Sequence, residues 1–114
     1  MEVEQTQIYV STPEKAILEC LYLTPGMIDM VECFHVLEGL VNLQPKLINE
    51  LLFQCESVKV KRLFLYMAEK AGHQWFKYLK QDNINLGSGS RMIAENGMFD
   101  SKYLITVPPE LFNL

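Results

Sequence analysis

At 114 residues, 49% of them apolar and 21% charged, the chain is long enough for one hydrophobic core and too apolar to stay disordered. Its formal net charge of −4 argues against a free-standing nucleic-acid binder, which is normally basic as a whole. The charge is uneven: residues 57–80 carry six cations against Glu69 alone, while residues 1–56 carry nine acids and two bases. Such asymmetry points to electrostatic contact with a partner.

The start, MEVEQTQ, is acidic and lacks the basic and apolar regions of a signal peptide. No stretch approaches the ~20 apolar residues of a membrane span. Cys20, Cys33 and Cys55 are odd in number, far apart and without metal-ligand spacing, so neither a disulfide framework nor structural zinc is expected. Together these features predict a soluble cytoplasmic domain.

Residues 7–10 form a short apolar run suited to a strand. Ser11, Thr12, Pro13 and Glu14 then start a helix. Ser11 and Glu14 have capping-box spacing, while Thr12 followed by Pro13 places proline at the first helical position. That helix runs to about Leu23, with Ile17, Cys20 and Leu21 at helical spacing, and Thr24-Pro25-Gly26 ends it. A second helix is expected over residues 28–41, with Met30, Cys33, Phe34, Leu37, Leu40 and Val41 as its apolar face.

Pro45 opens a third helix through Leu47, Ile48, Leu51, Leu52 and Cys55. Ser57 caps a fourth, on which Val60, Leu63, Phe64, Met67 and Ala71 form a buried stripe before Gly72 stops it. A short fifth helical segment covers residues 74–80. Beyond it, a loop at Gly87-Ser88-Gly89-Ser90 leads to a strand over residues 91–95. Asn96-Gly97 signals a turn, and residues 103–107 give a second strand, stopped by Pro108-Pro109. The expected architecture is α+β: about five helices with a small antiparallel sheet made by the C-terminal hairpin, with residues 7–10 as candidate third strand.

On the fourth helix Lys59, Arg62, Tyr66, Glu69, Lys70 and His73 lie away from the stripe or along its flank. Lys59 and Arg62, three apart, suit two phosphates or two carboxylates on a partner; a solvated helix face accounts for the same pattern. Arg91, at the end of the glycine-rich loop, joins Lys59, Arg62 and Lys70 as a candidate contact. The loop lacks the Walker lysine pattern and does not open a helix, so it reads as a connector. His35 and His73 have no partner spaced for general-base work, so a packed or capping role is expected for both. No catalytic residue, metal site or cofactor is expected.

The run STPEKAILECL, then NLQPKLINELLFQCESVKVKRLFLYMAEKAGHQWF, LGSGSR and KYLITVPPEL resembles the C-terminal domain of AbiE-type antitoxins of type IV toxin–antitoxin, or abortive-infection, systems. The likeness spans residues 8–111. It implies a regulator rather than an enzyme, in which a winged helix-turn-helix binds the operator and a C-terminal domain counters a nucleotidyltransferase-like toxin, without requiring a stable complex with it. It also implies help in operator binding. Ser90 stands where the family pattern has a basic residue before the arginine, which weakens an anion-binding role for the loop.

Nothing before Ile8 encodes a winged helix, so residues 1–114 are expected to be one antitoxin-type domain: excised, a fragment, or a stand-alone version. Two other classes stay open at this point. One is a structural or oligomerisation domain; the other is a phosphodiester-cleaving enzyme, for which the clustered metal-binding acids are missing.

Overall fold

The computed structural model describes residues 12–114, and the candidate strand at residues 7–10 lies outside them. Helix α1, Pro13–Leu23, begins as its proline dictates. Thr12 is the N-cap, and its hydroxyl accepts from the Lys15 amide at 3.2 Å. Helix α2, Met30–Glu38, is shorter than its apolar pattern. The Asp29 carboxylate accepts from the Val31 and Glu32 amides and fixes its start, and Gly39 follows its last residue. Val41, expected on the buried face, is therefore beyond the helix and 61% exposed.

Helix α3, Pro45–Gln54, has no side-chain cap of its own. Instead the buried carboxylate of Glu14, on α1, accepts from the Gln44 amide at 2.7 Å and ties the two helix starts together. Helix α4, Val58–Ala71, starts at the Ser57 hydroxyl, which accepts from the Val60 amide. It ends at Gly72, whose φ of 75° is the left-handed conformation that side chains disfavour.

Every residue of α4 from Val60 to Ala68 is buried, so this helix is the hub of the core. It packs against α1 and α2. The predicted fifth helix is a 3-10 segment, Gln74–Tyr78, whose Trp75 stacks on Phe64 with centroids 5.8 Å apart. A 3-10 turn, Gln81–Asn83, follows. The fifth α-helix among the described residues is α5, Pro109–Phe112, opened by the proline pair that stops the last strand.

The sheet is three-stranded and mixed rather than purely antiparallel. Strands β1 (Arg91–Met92), β2 (Met98–Asp100) and β3 (Ile105–Val107) lie in the order β1-β3-β2. β1 runs parallel to β3, with Arg91 opposite Ile105, and β2 runs antiparallel to it, with Phe99 opposite Thr106. The Asn96-Gly97 signal does mark a reversal, with Asn96 at φ 57°, but it leads into β2 and not back along β1. The hairpin turn lies later, where the Asp100 side chain accepts from the Tyr103 amide at 2.7 Å and Leu104 takes φ 56°.

Ile105, Val107 and Tyr103 point into the core and join this sheet to α4. A Cβ on Gly97 would stand 2.3 Å from the Val107 carbonyl oxygen, closer than any side chain tolerates. Gly97→Ala is expected to cost about 1–3 kcal/mol in urea denaturation. Gly26→Ala, whose Cβ meets nothing nearer than 4.0 Å, should stay within about 0.5 kcal/mol of the parent.

Candidate partner-binding surface

The cations of the fourth helix do not form an exposed stripe. Arg62 is 2% exposed, behind the glycine-rich loop. Its Nε donates to the Leu86 carbonyl at 2.9 Å and its Nη1 to the Leu104 carbonyl at 3.2 Å. Leu104 O also accepts from the Arg91 amide at 2.9 Å, so one carbonyl joins α4, the hairpin turn and β1. Burial, and then the positive charge of Arg91, pull the guanidinium below the ordinary arginine range. It remains a cation at any physiological pH.

The neighbouring cations follow the same rule. Half-buried Lys59 donates to the carbonyls of Tyr22, at 3.2 Å, and Thr24, at 2.5 Å, where α1 ends. Burial lowers its pKa. Lys70 donates to the Phe112 carbonyl at the end of α5, at 3.0 Å. His73 Nε2 donates to the Leu37 carbonyl near the end of α2, at 2.8 Å, while its ring stacks on Trp75. Trp75 Nε1 takes the Leu40 carbonyl at 3.0 Å. The capping role expected of His73 is thus realised, whereas His35 is exposed and pairs with Glu38.

Arg91 differs from the other three candidates, because it is exposed on β1. Register places Met92, Thr106 and Phe99 in one row across the sheet, on the opposite face from Arg91, Ile105 and Asp100. That row is open to solvent, with Met92 72% and Phe99 50% exposed. Neither residue stood out in the sequence, because strands of two and three residues are too short to show an alternation.

A second polar cluster lies where α4 ends beside the hairpin turn. Glu69 accepts from Lys102 at 2.9 and 2.8 Å, and from the Tyr103 hydroxyl at 2.6 Å. Partial burial by itself pushes the Glu69 carboxyl up. The hydrogen bonds from Lys102 and Tyr103 outweigh it and hold the carboxyl below the usual glutamate value of 4.5. Burial and then the bond to Glu69 push the Tyr103 phenol up. Tyr66 is raised by burial and then by Asp100. With Lys70 and Phe112 these residues line an open hollow of about 270 Å³. Glu69 is more than thirty residues from its partners, so spacing could not announce the cluster.

Among the described residues no three histidines, cysteines or acids come together to hold a metal ion. The three cysteines are unpaired, and burial pushes the Cys33 thiol up to about 12. No described helix is long and apolar enough to cross a membrane.

These features define an α+β domain in which Lys59, Arg62 and Lys70 are held on its own backbone, while Arg91 is exposed on one face of the sheet and Met92 and Phe99 on the other. A family model described as transcriptional regulator, AbiEi antitoxin, of type IV toxin–antitoxin systems matches residues 1–108, and the chain belongs to that family. No curated protein and no solved structure matches it.

Two outcomes follow from the geometry. Arg62→Met, which keeps the stem and strands the two carbonyls, should lower unfolding free energy by about 2–4 kcal/mol. Arg91→Ala should leave it within about 0.5 kcal/mol. For Glu69 the folded pKa is the lower one, so its stabilisation is complete above the unfolded value and vanishes as pH falls through the folded one. Urea midpoints of the parent and Glu69→Gln should therefore differ at neutral pH and converge in acid.

Proposed function

We propose that this chain is a non-enzymatic antitoxin and regulator domain, acting in the cytoplasm to counter a nucleotidyltransferase-like toxin. In this reading residues 1–114 are one domain of the C-terminal antitoxin type. It assists operator binding, while the operator sequence is read by a separate winged helix-turn-helix. Antagonism proceeds without a lasting toxin–antitoxin complex. The family match over residues 1–108 carries the proposal.

The contact surface is centred on Arg91. Lys59 and Lys70 add positive potential while holding their carbonyls, and Arg62 acts from behind by fixing the backbone that presents Arg91. A single exposed arginine suits a protein or an isolated phosphate better than a long track of phosphates, which needs several neighbouring cations.

The test is co-expression of the complete antitoxin with its cognate toxin, alongside operator gel shifts. Arg91→Glu is expected to reduce survival of toxin-expressing cells, or the cooperativity of operator binding, by tenfold or about that much, the scale of one lost charged contact. Neutralisation and operator binding that both stay at the parent level would overturn the assignment of Arg91.

A further inference from the structure

The hollow beside Glu69 has a chemistry that the proposed function does not use. Its walls are aromatic, from Tyr66, Tyr103 and Phe112, and its acceptors are the carboxylates of Glu69 and Asp100. Asp100 spends one oxygen, Oδ2, on the Tyr103 amide, and its other oxygen has no protein donor among the described residues. Tyr66 is 93% buried, 7% of its surface remaining exposed, and it lines the hollow. Its hydroxyl makes no hydrogen bond among the described residues. A hydroxyl without a protein partner at the wall of an open hollow is free to donate to, or accept from, a ligand group that enters it.

The protein already places a cation at the rim. The Lys102 ammonium lies 5.5 Å from the Tyr103 ring centroid and bonds to both oxygens of Glu69. Carboxylate acceptors and a ring face are the two features that select cations. Lys102 is itself exposed, held by a surface ion pair that contributes little and exchanges readily with solvent. It occupies the place of an incoming cation without filling the hollow. Lys70, the other lysine here, is turned to the Phe112 carbonyl and does not pair with either acid.

We propose that the hollow between the end of α4, the hairpin turn and α5 is a docking site for an arginine side chain of a partner protein, with Lys102 as the internal cation it displaces. Arginine fits better than lysine. Its planar guanidinium stacks against phenol rings and offers several donors in one plane, which suits a wall carrying two carboxylates and a phenol oxygen. An ammonium would only repeat what Lys102 does. This inference does not depend on the proposed function, although Asp100 stands on the same sheet face as Arg91.

The probes are N-acetyl-arginine methylamide, its lysine and citrulline counterparts, and N-acetyl-aspartate methylamide, each titrated while tyrosine and backbone NMR signals are followed. Saturable shifts at Tyr66, Tyr103 and Asp100 are expected with the arginine compound and not with neutral citrulline. Asp100→Asn keeps an oxygen for the Tyr103 amide, and should weaken binding about tenfold by removing the charge. Lys102→Ala should tighten it about fivefold, by removing the competing cation. An anion site would respond in the opposite direction, weakening when Lys102 is lost and preferring the aspartate compound. That outcome would overturn the proposal, as would equal shifts with citrulline or no saturable shift at all.

Discussion

Cationic side chains from one buried helix gripping backbone carbonyls of the elements around it are what the rest of this fold depends on. A helix end leaves its last carbonyls without intrahelical donors and carries partial negative charge. In this chain three helix ends are held from α4 and its continuation: α1 by Lys59, α2 by His73 and Trp75, and α5 by Lys70. Arg62 does the same for the loop at Leu86 and the turn at Leu104. A guanidinium taken out of water must recover strong acceptors or it will unfold its surroundings. Two carbonyls supply them, and in doing so fix the sheet against the helix.

That constraint explains half of the uneven charge: of the six cations in residues 57–80, Lys59, Arg62 and Lys70 lie on the central helix and donate to carbonyls of the elements around it. Lysine and arginine provide the reach for this while covering apolar surface with their stems. Glycine at position 87 completes the arrangement. Its φ of 72° carries the loop over α4 so closely that a Cβ would meet Val58 at 3.1 Å. The glycine-rich loop is therefore a packed connector at its start, and it ends by delivering Arg91 to the surface.

What the sequence disclosed, and what it hid, follows the range of the interactions. Thr12-Pro13, Ser57 and Gly72 act on their own neighbours, and each marks the structure where it stands in the chain. Helical spacing likewise found Val60, Leu63, Phe64 and Met67. It failed on Arg62 because a stripe presumes a helix with one wet side, and α4 is enclosed on all sides from Val60 to Ala68. The short strand β2 carried no periodic signal. Without it the first and last strands had to be paired directly, which made the sheet antiparallel instead of mixed. Gln44 shows the same limit in small: its cap is Glu14, thirty residues earlier.

The outward field of the molecule also changes once these cations are placed. The charge count includes Lys59, Arg62 and Lys70, yet each is wholly or partly withdrawn from solvent and screened by the carbonyl dipoles it holds. Glu19, Glu32, Glu38, Glu50 and Glu56 all stand exposed. Among the described residues these and the other exposed acids outnumber the exposed cations Lys15, Lys46, Lys77, Lys80, Arg91 and Lys102, so the described surface is acidic. A polyanion meeting this domain is repelled over most of its area and accepted at few points. Contact with nucleic acid must accordingly be local and oriented, and a basic side chain on a protein finds the more general welcome. For a domain whose described surface carries more acids than cations, electrostatic steering favours a basic partner over a nucleic acid.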